Sequence, residues 1–187
     1  SQTISNRPHF DEIFEFLTSD LSYIKENVNK EKKQYQIDLI LMKKIVSVND
    51  DDDDEKFVIY EDKKFIRYKL YEKSQNAEVI DSQKVNDEVI IPSFIKFGPI
   101  EYNVTKICDK AFANSAITKL KFSSKSHVNS IGNNAFKNST IKEIFLPESL
   151  TELKPFWIKG ANRLEKVDVE EENSLFSSKD GFLFRNY

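Results

Sequence analysis

Apolar residues in the second half of the chain fall into one arrangement three times over. The first copy sets Val104 and Ile107, then Ala111-Phe112, then Ile117, Leu120 and Phe122. The second sets Val128 and Ile131, then Ala135-Phe136, then Ile141, Ile144 and Leu146. The third sets Leu150 and Leu153, then Trp157-Ile158, then Leu164, Val167 and Val169. Matching positions lie 22 to 24 residues apart, the period of solenoid repeats. A unit this short cannot bury its own apolar face and must stack on a neighbour.

Each copy predicts one short strand, over Thr118–Phe122, Lys142–Leu146 and Glu165–Val169. Stacked, these form a parallel ladder. Because alternate side chains face opposite ways, Leu120, Phe122, Ile144, Leu146, Val167 and Val169 point inward. Phe112, Phe136 and Ile158 form a column on the convex side, between rungs. The outward positions are then Lys119, Lys121, Glu143, Phe145, Lys166 and Asp168. Phe145 stands in the middle of that face, where an aromatic residue can anchor a contact.

Upstream, Phe10, Ile13, Phe14, Leu17, Leu21, Ile24 and Val28 recur at spacings of 3 and 4, which predicts a helix from about His9 to Lys33. β-branched residues from Tyr35 to Val48 predict a strand or strand pair. An acidic run, Asn49 to Glu55, follows. Phe57–Tyr60 and Phe65–Tyr71 around a charged turn predict a hairpin, with Ile66, Tyr68 and Leu70 on one face. Val89-Ile90-Ile91-Pro92 matches Ile144-Phe145-Leu146-Pro147, so the solenoid begins near Val85. The insert Phe94–Tyr102, with Gly98-Pro99 at its centre, predicts a small hairpin tongue whose Phe97 adds to the contact surface. Asn173–Phe184 predicts two more strands around Asp180-Gly181.

The expected class is α+β: a short leucine-rich repeat solenoid with a parallel strand ladder, capped by an N-terminal helix plus β-hairpin. Residues 1–78 form the capping segment and residues 79–187 the solenoid, of about three repeats. The sequence stops at Tyr187 partway into what reads as another unit, so the chain is expected to be part of something longer.

The run from Val89 to Phe184, about half the chain, resembles the BspA-like leucine-rich repeat family. The resemblance rests on Ile107-Cys108-Asp109-Lys110-Ala111-Phe112 and Ile131-Gly132-Asn133-Asn134-Ala135-Phe136, which match the family's Ile-Gly-x-x-Ala-Phe core. It also rests on Ile144-Phe145-Leu146-Pro147-Glu148-Ser149-Leu150, and on Phe176–Leu183, which is similar to a recurring family insert. Cys108 stands where glycine is usual, and Trp157-Ile158 replaces Ala-Phe in the third copy. Such proteins are known from the surfaces of oral bacteria and from anaerobic flagellate parasites, and are associated with adhesion and protein binding. The resemblance therefore implies a non-catalytic protein–protein interaction module, adhesin- or surface antigen-like, whose partner is another protein. The rival expectation is a structural or scaffolding subunit of an intracellular assembly.

Composition narrows this further. Charged residues make up 32% and apolar residues 39%, which suits an elongated molecule rich in surface. A net charge of −3 supplies no basic field for nucleic acid. No apolar run approaches the roughly 20 residues needed to cross a bilayer. The polar start, Ser1 to Pro8, lacks the apolar centre of a secretory signal and favours the cytoplasm, whereas the family resemblance favours the cell surface. A single cysteine, Cys108, excludes an internal disulfide framework.

Candidate chemistry is sparse. Cys108 and His127 could pair as nucleophile and base, but the repeat puts Cys108 in a tight slot and His127 in a loop. In the run from Asp50, carboxylates occupy positions 1, 3, 5 and 12 of a calcium loop, yet Glu55 stands where that loop needs glycine. A solvated acidic loop is the better reading. Asn103-Val104-Thr105 and Asn138-Ser139-Thr140 are glycan acceptor triplets, meaningful only on the secretory route. No catalytic, metal or cofactor residues are expected.

Overall fold

Strands in this protein form where β-branched and aromatic residues alternate with polar ones, and many of the turns between them carry a residue in a left-handed conformation. The computed structural model describes residues 55–82 and 85–186. It opens on a hairpin, β1 (Phe57–Glu61) and β2 (Arg67–Tyr71), paired antiparallel with Phe57 opposite Tyr71. Asp62 shapes the turn: its Oδ1 accepts from the Lys64 and Ile66 amides at 2.8 and 2.9 Å. Ile66, Tyr68 and Leu70 are fully buried, as the alternation predicts.

From β3 (Asn76–Asp81) onward the chain alternates between two sheets. It passes to β4 (Asn86–Ile91), makes the tongue with β5 (Phe94–Phe97), and returns along β6 (Ile100–Ile107). It then runs through β7 (Ala116–Phe122), β8 (Ser130–Ile131), β9 (Glu143–Leu146), β10 (Glu152–Leu153) and β11 (Lys166–Val169). One sheet has the order β1-β2-β3-β6-β8-β10, with β5 also on β6; the other is β11-β9-β7-β4. All pairings from β3 onward within the stack are parallel, except that of the tongue strand β5 with β6. β3–β4 is thus a further coil ahead of the three repeats read from sequence. A last hairpin, β12 (Phe176–Lys179) and β13 (Phe182–Arg185), packs on β11, whose Val167 amide donates to the Gly181 carbonyl at 2.9 Å.

The expected α+β class is corrected to all-β, because the described residues form strands and turns and no helix. The crossovers from one sheet to the other show why. Those from β6 to β7, β8 to β9 and β10 to β11 each carry two left-handed residues four apart: Lys110 and Asn114, Asn134 and Asn138, Phe156 and Gly160. A left-handed residue at that spacing interrupts any right-handed helix, so each crossover becomes a chain of turns. The helix expected over about His9–Lys33, the strands expected over Tyr35–Val48 and the run Asn49–Asp54 lie outside the described residues. The hairpin part of the expected cap is the β1–β2 pair.

Packing follows the repeat. Phe112 and Phe136 lie face to face, ring centroids 5.2 Å apart and planes 11° apart, and Trp157 meets Phe136 edge-on at 6.1 Å. Ile158, the third member of the expected column, is half-buried against the core. Backbone bonds tie coil to coil at matching places: Cys108 to Val79 at 2.8 Å, Gly132 to Ile107 at 2.8 Å, Lys154 to Ile131 at 2.9 Å, each amide donating to the carbonyl. A Cβ on Gly132 would stand 2.5 Å from the Asp109 amide nitrogen and 2.6 Å from the Cys108 carbonyl carbon. Glycine is required there by the preceding crossover. Cys108 holds the matching slot one coil earlier, where its neighbour is strand β3, and a side chain fits.

Candidate functional site

The ladder β4-β7-β9-β11 presents one face to the core and one outward. Val89, Ile91, Leu120, Ile144, Leu146 and Val167 are buried on the inner face, with Phe122 and Val169 half-buried at its margin. The alternate residues form the outer face in two rows. Register places Glu88, Lys119, Glu143 and Lys166 side by side in the first row. In the second row Ile90 pairs with Lys121, and Phe145 with Asp168. All six residues named from sequence on this ladder therefore come together on one surface. Glu88 and Ile90, on the extra coil, join them. The match of Val89–Pro92 to Ile144–Pro147 already carried the signal for both.

Phe145 sits half-buried among ammonium groups. Lys119 Nζ is 5.0 Å from its ring centroid, Lys166 5.7 Å and Lys121 5.8 Å, close enough for cation–π attraction. Each lysine also holds a carboxylate: Lys119 to Glu143 at 2.5 Å, Lys121 to Glu88 at 2.9 Å, Lys166 to Asp168 at 2.7 Å. The Lys121 ammonium holds the Glu88 carboxyl below its ordinary value, and the Glu143 carboxylate raises Lys119. Three cations and three anions thus form a net-neutral lattice around one aromatic ring. An open groove of about 530 Å³ borders it, lined by Lys121, Phe145, Asp168, Glu170, Glu171 and Ser178 among others.

Phe97 does not belong to this surface. It is 7% exposed and meets the Tyr60 ring edge-on at 5.8 Å. The tongue forms where the sequence places it, with Phe97 opposite Ile100, but its inner side is covered by the β1–β2 hairpin. The exposed aromatic of the tongue is Phe94.

Cys108 and His127 stand in different surroundings. The Cys108 thiol donates to Glu78 Oε2 at 3.3 Å, while His127 is exposed in a loop. Burial, with the Glu78 carboxylate beside it, pushes the Cys108 thiol up to about 12, the opposite of an activated nucleophile. Alkylation of native Cys108 by iodoacetamide at pH 8 is accordingly expected to run at least about a hundredfold slower than in the urea-unfolded chain. Equal rates would show that the thiol is not held by Glu78. Among the described residues no group of three or more His, Cys, Asp or Glu side chains is placed to hold a metal ion. Nor is any helix among them long and apolar enough to cross a membrane. Asn103 is exposed on β6, and the Asn138 amide donates to Asn114 Oδ1 at 3.4 Å.

Residues 93–184 match the family described as "BspA type Leucine rich repeat region (6 copies)". No curated protein matches the sequence. Among solved structures, a leucine-rich repeat protein from Eubacterium ventriosum is similar, at 17% identity and a TM-score of 0.39, over 64% of this chain and 46% of that one. One from Bacteroides capillosus has 20% identity and a TM-score of 0.43, over 60% of this chain and 98% of the other. The pneumococcal vaccine antigen PcpA has 20% identity and a TM-score of 0.36, over 68% of this chain and 53% of its own. This chain thus spans about half the length of the first and third of these.

Proposed function

Because residues 93–184 of this chain belong to the BspA-type leucine-rich repeat family, we propose that it is a non-catalytic protein-interaction module that grips its partner through the outer face of the β4-β7-β9-β11 ladder. The single observation behind this reading is Phe145, held half-exposed at the centre of a charged lattice on a rigid sheet. Aromatic groups on rigid platforms, ringed by polar residues, are what binding hot spots are made of. The partner is a protein, and the finer role is adhesin- or surface antigen-like, as the family suggests. In the same reading residues 1–78 serve as the capping segment and residues 79–187 as the solenoid. The β1–β2 hairpin supports this by covering the strand edge of the first coil.

Phe145→Ala tests the proposal. It removes exposed cation–π contacts and little core, so stability should fall by no more than about 1 kcal/mol. Affinity for the partner should fall by about tenfold or more. A photo-reactive benzoyl-phenylalanine at position 145 should cross-link the partner, while the same group at the exposed Phe94 should not. Cross-linking from Phe94 alone, or partner affinity untouched by Phe145→Ala, would sink the proposal.

A further inference from the structure

The outer face of the ladder has a symmetry that its stability alone does not demand. Its first row reads Glu88, Lys119, Glu143, Lys166, so the charges alternate in sign from β4 to β11. Alternation within a row favours cross-strand pairing. It also means that the row, reversed, is its own complement.

Consider a second copy laid face to face about a two-fold axis parallel to the strands. The axis sets β4 against β11 and β7 against β9. Glu88 then faces Lys166 of the second copy, and Lys119 faces its Glu143, with both pairs repeated by symmetry. In the second row Lys121 faces the Phe145 ring of the other copy, again twice, a cation–π contact shielded from water at the centre. The other face-to-face arrangement, with the axis along the stack, sets Lys119 on Lys119 or on Lys121, and like charges oppose it. The face carries three lysines and three carboxylates, so two copies meet without net repulsion. Two-fold dimers are also the commonest closed assemblies.

We propose that the ladder face binds a second copy of this chain, in this one orientation. The inference rests on the ladder being the contact surface, and it names the partner. Eight side chains a side make a small, charge-rich interface, so association is weak and falls with salt.

Sedimentation equilibrium on the full chain, from about 10 μM to about 1 mM, is the test. The expected result is a monomer–dimer equilibrium that weakens in 0.5 M salt, a concentration chosen to shorten screening to a few ångströms, roughly 4 Å. Lys119→Glu sets two carboxylates face to face twice and should weaken the dimer at least about tenfold. Adding Glu143→Lys restores the opposed charges and should restore the dimer. Phe184→Asp, at an exposed position of the terminal hairpin outside the two rows, should leave it unchanged. Circular dichroism checks that each variant folds. A wild-type chain that stays monomeric throughout overturns the inference, as does a dimer indifferent to Lys119→Glu or broken by Phe184→Asp. If the chain is monomeric while position 145 still cross-links a different protein, this inference falls and the surface reading stands.

Discussion

Phe136→Ala is expected to lower the free energy of unfolding by about 3–5 kcal/mol, the range for emptying a fully buried aromatic site. The ring is wholly enclosed, with Phe112 stacked on one side and Trp157 edge-on at the other. It therefore contacts both neighbouring coils, and no single coil can collapse to refill the void. Ile158→Ala, one position along the same column but half-buried, should cost distinctly less. Urea midpoints for the two variants decide the matter. A loss under about 1 kcal/mol for Phe136→Ala would mean that the ring lies outside the spine.

Asn173→Ala should be nearly as damaging, by about 2–5 kcal/mol, since it removes four hydrogen bonds from a buried site. The Asn173 amide donates to the Pro147 and Leu150 carbonyls at 2.9 and 3.0 Å. Its carbonyl accepts from the Leu175 and Phe176 amides at 2.9 and 2.8 Å. One side chain thus fastens the terminal hairpin to the preceding loop. Asn173→Asp keeps both acceptor bonds but sets a buried carboxylate oxygen against the Pro147 and Leu150 carbonyls, so at pH 7 it should cost at least as much as alanine. Hydrogen exchange in β12 and β13 should quicken in step with the loss; protection unchanged in Asn173→Ala would refute the role.

The repeat was legible because two kinds of position carry it openly. Inward strand residues such as Leu120, Ile144 and Val167 alternate with polar ones, and the pair Phe112 and Phe136 recurs at the repeat spacing. The same alternation named the outer face, and Phe145 among its lysines. The crossovers were not legible in that way. Asn114, Asn138 and Gly160 are residue types that tolerate left-handed backbone, and their spacing signals it. Lys110 and Phe156 take the same conformation with no compositional mark. Local neighbours, rather than their own preference, impose it. Phe97 failed for another reason. Its burial depends on Tyr60, a residue distant in sequence, and alternation within the tongue does not say which side the β1–β2 hairpin covers. Of the extra coil, β4 was legible in the match of Val89–Pro92 to Ile144–Pro147, whereas β3 was obscured because the tongue separates this coil from the regular repeats. In the sequence Asn173 marks only the start of a strand pair, since its four bonds go to backbone groups that leave no trace in side-chain pattern.

The parallel stack has a mechanical consequence. Each coil leans only on those beside it, with the β1–β2 pair on the first of the described rungs and the β12–β13 hairpin on the last. Once β12 and β13 lift from β11, that rung has lost one of its two supports and loosening passes inward rung by rung. Lys166 and Asp168 lose their places first, Phe145 next, Glu88 and Ile90 last. A grip formed across this surface would slacken by degrees under load, like a zip drawn from one side.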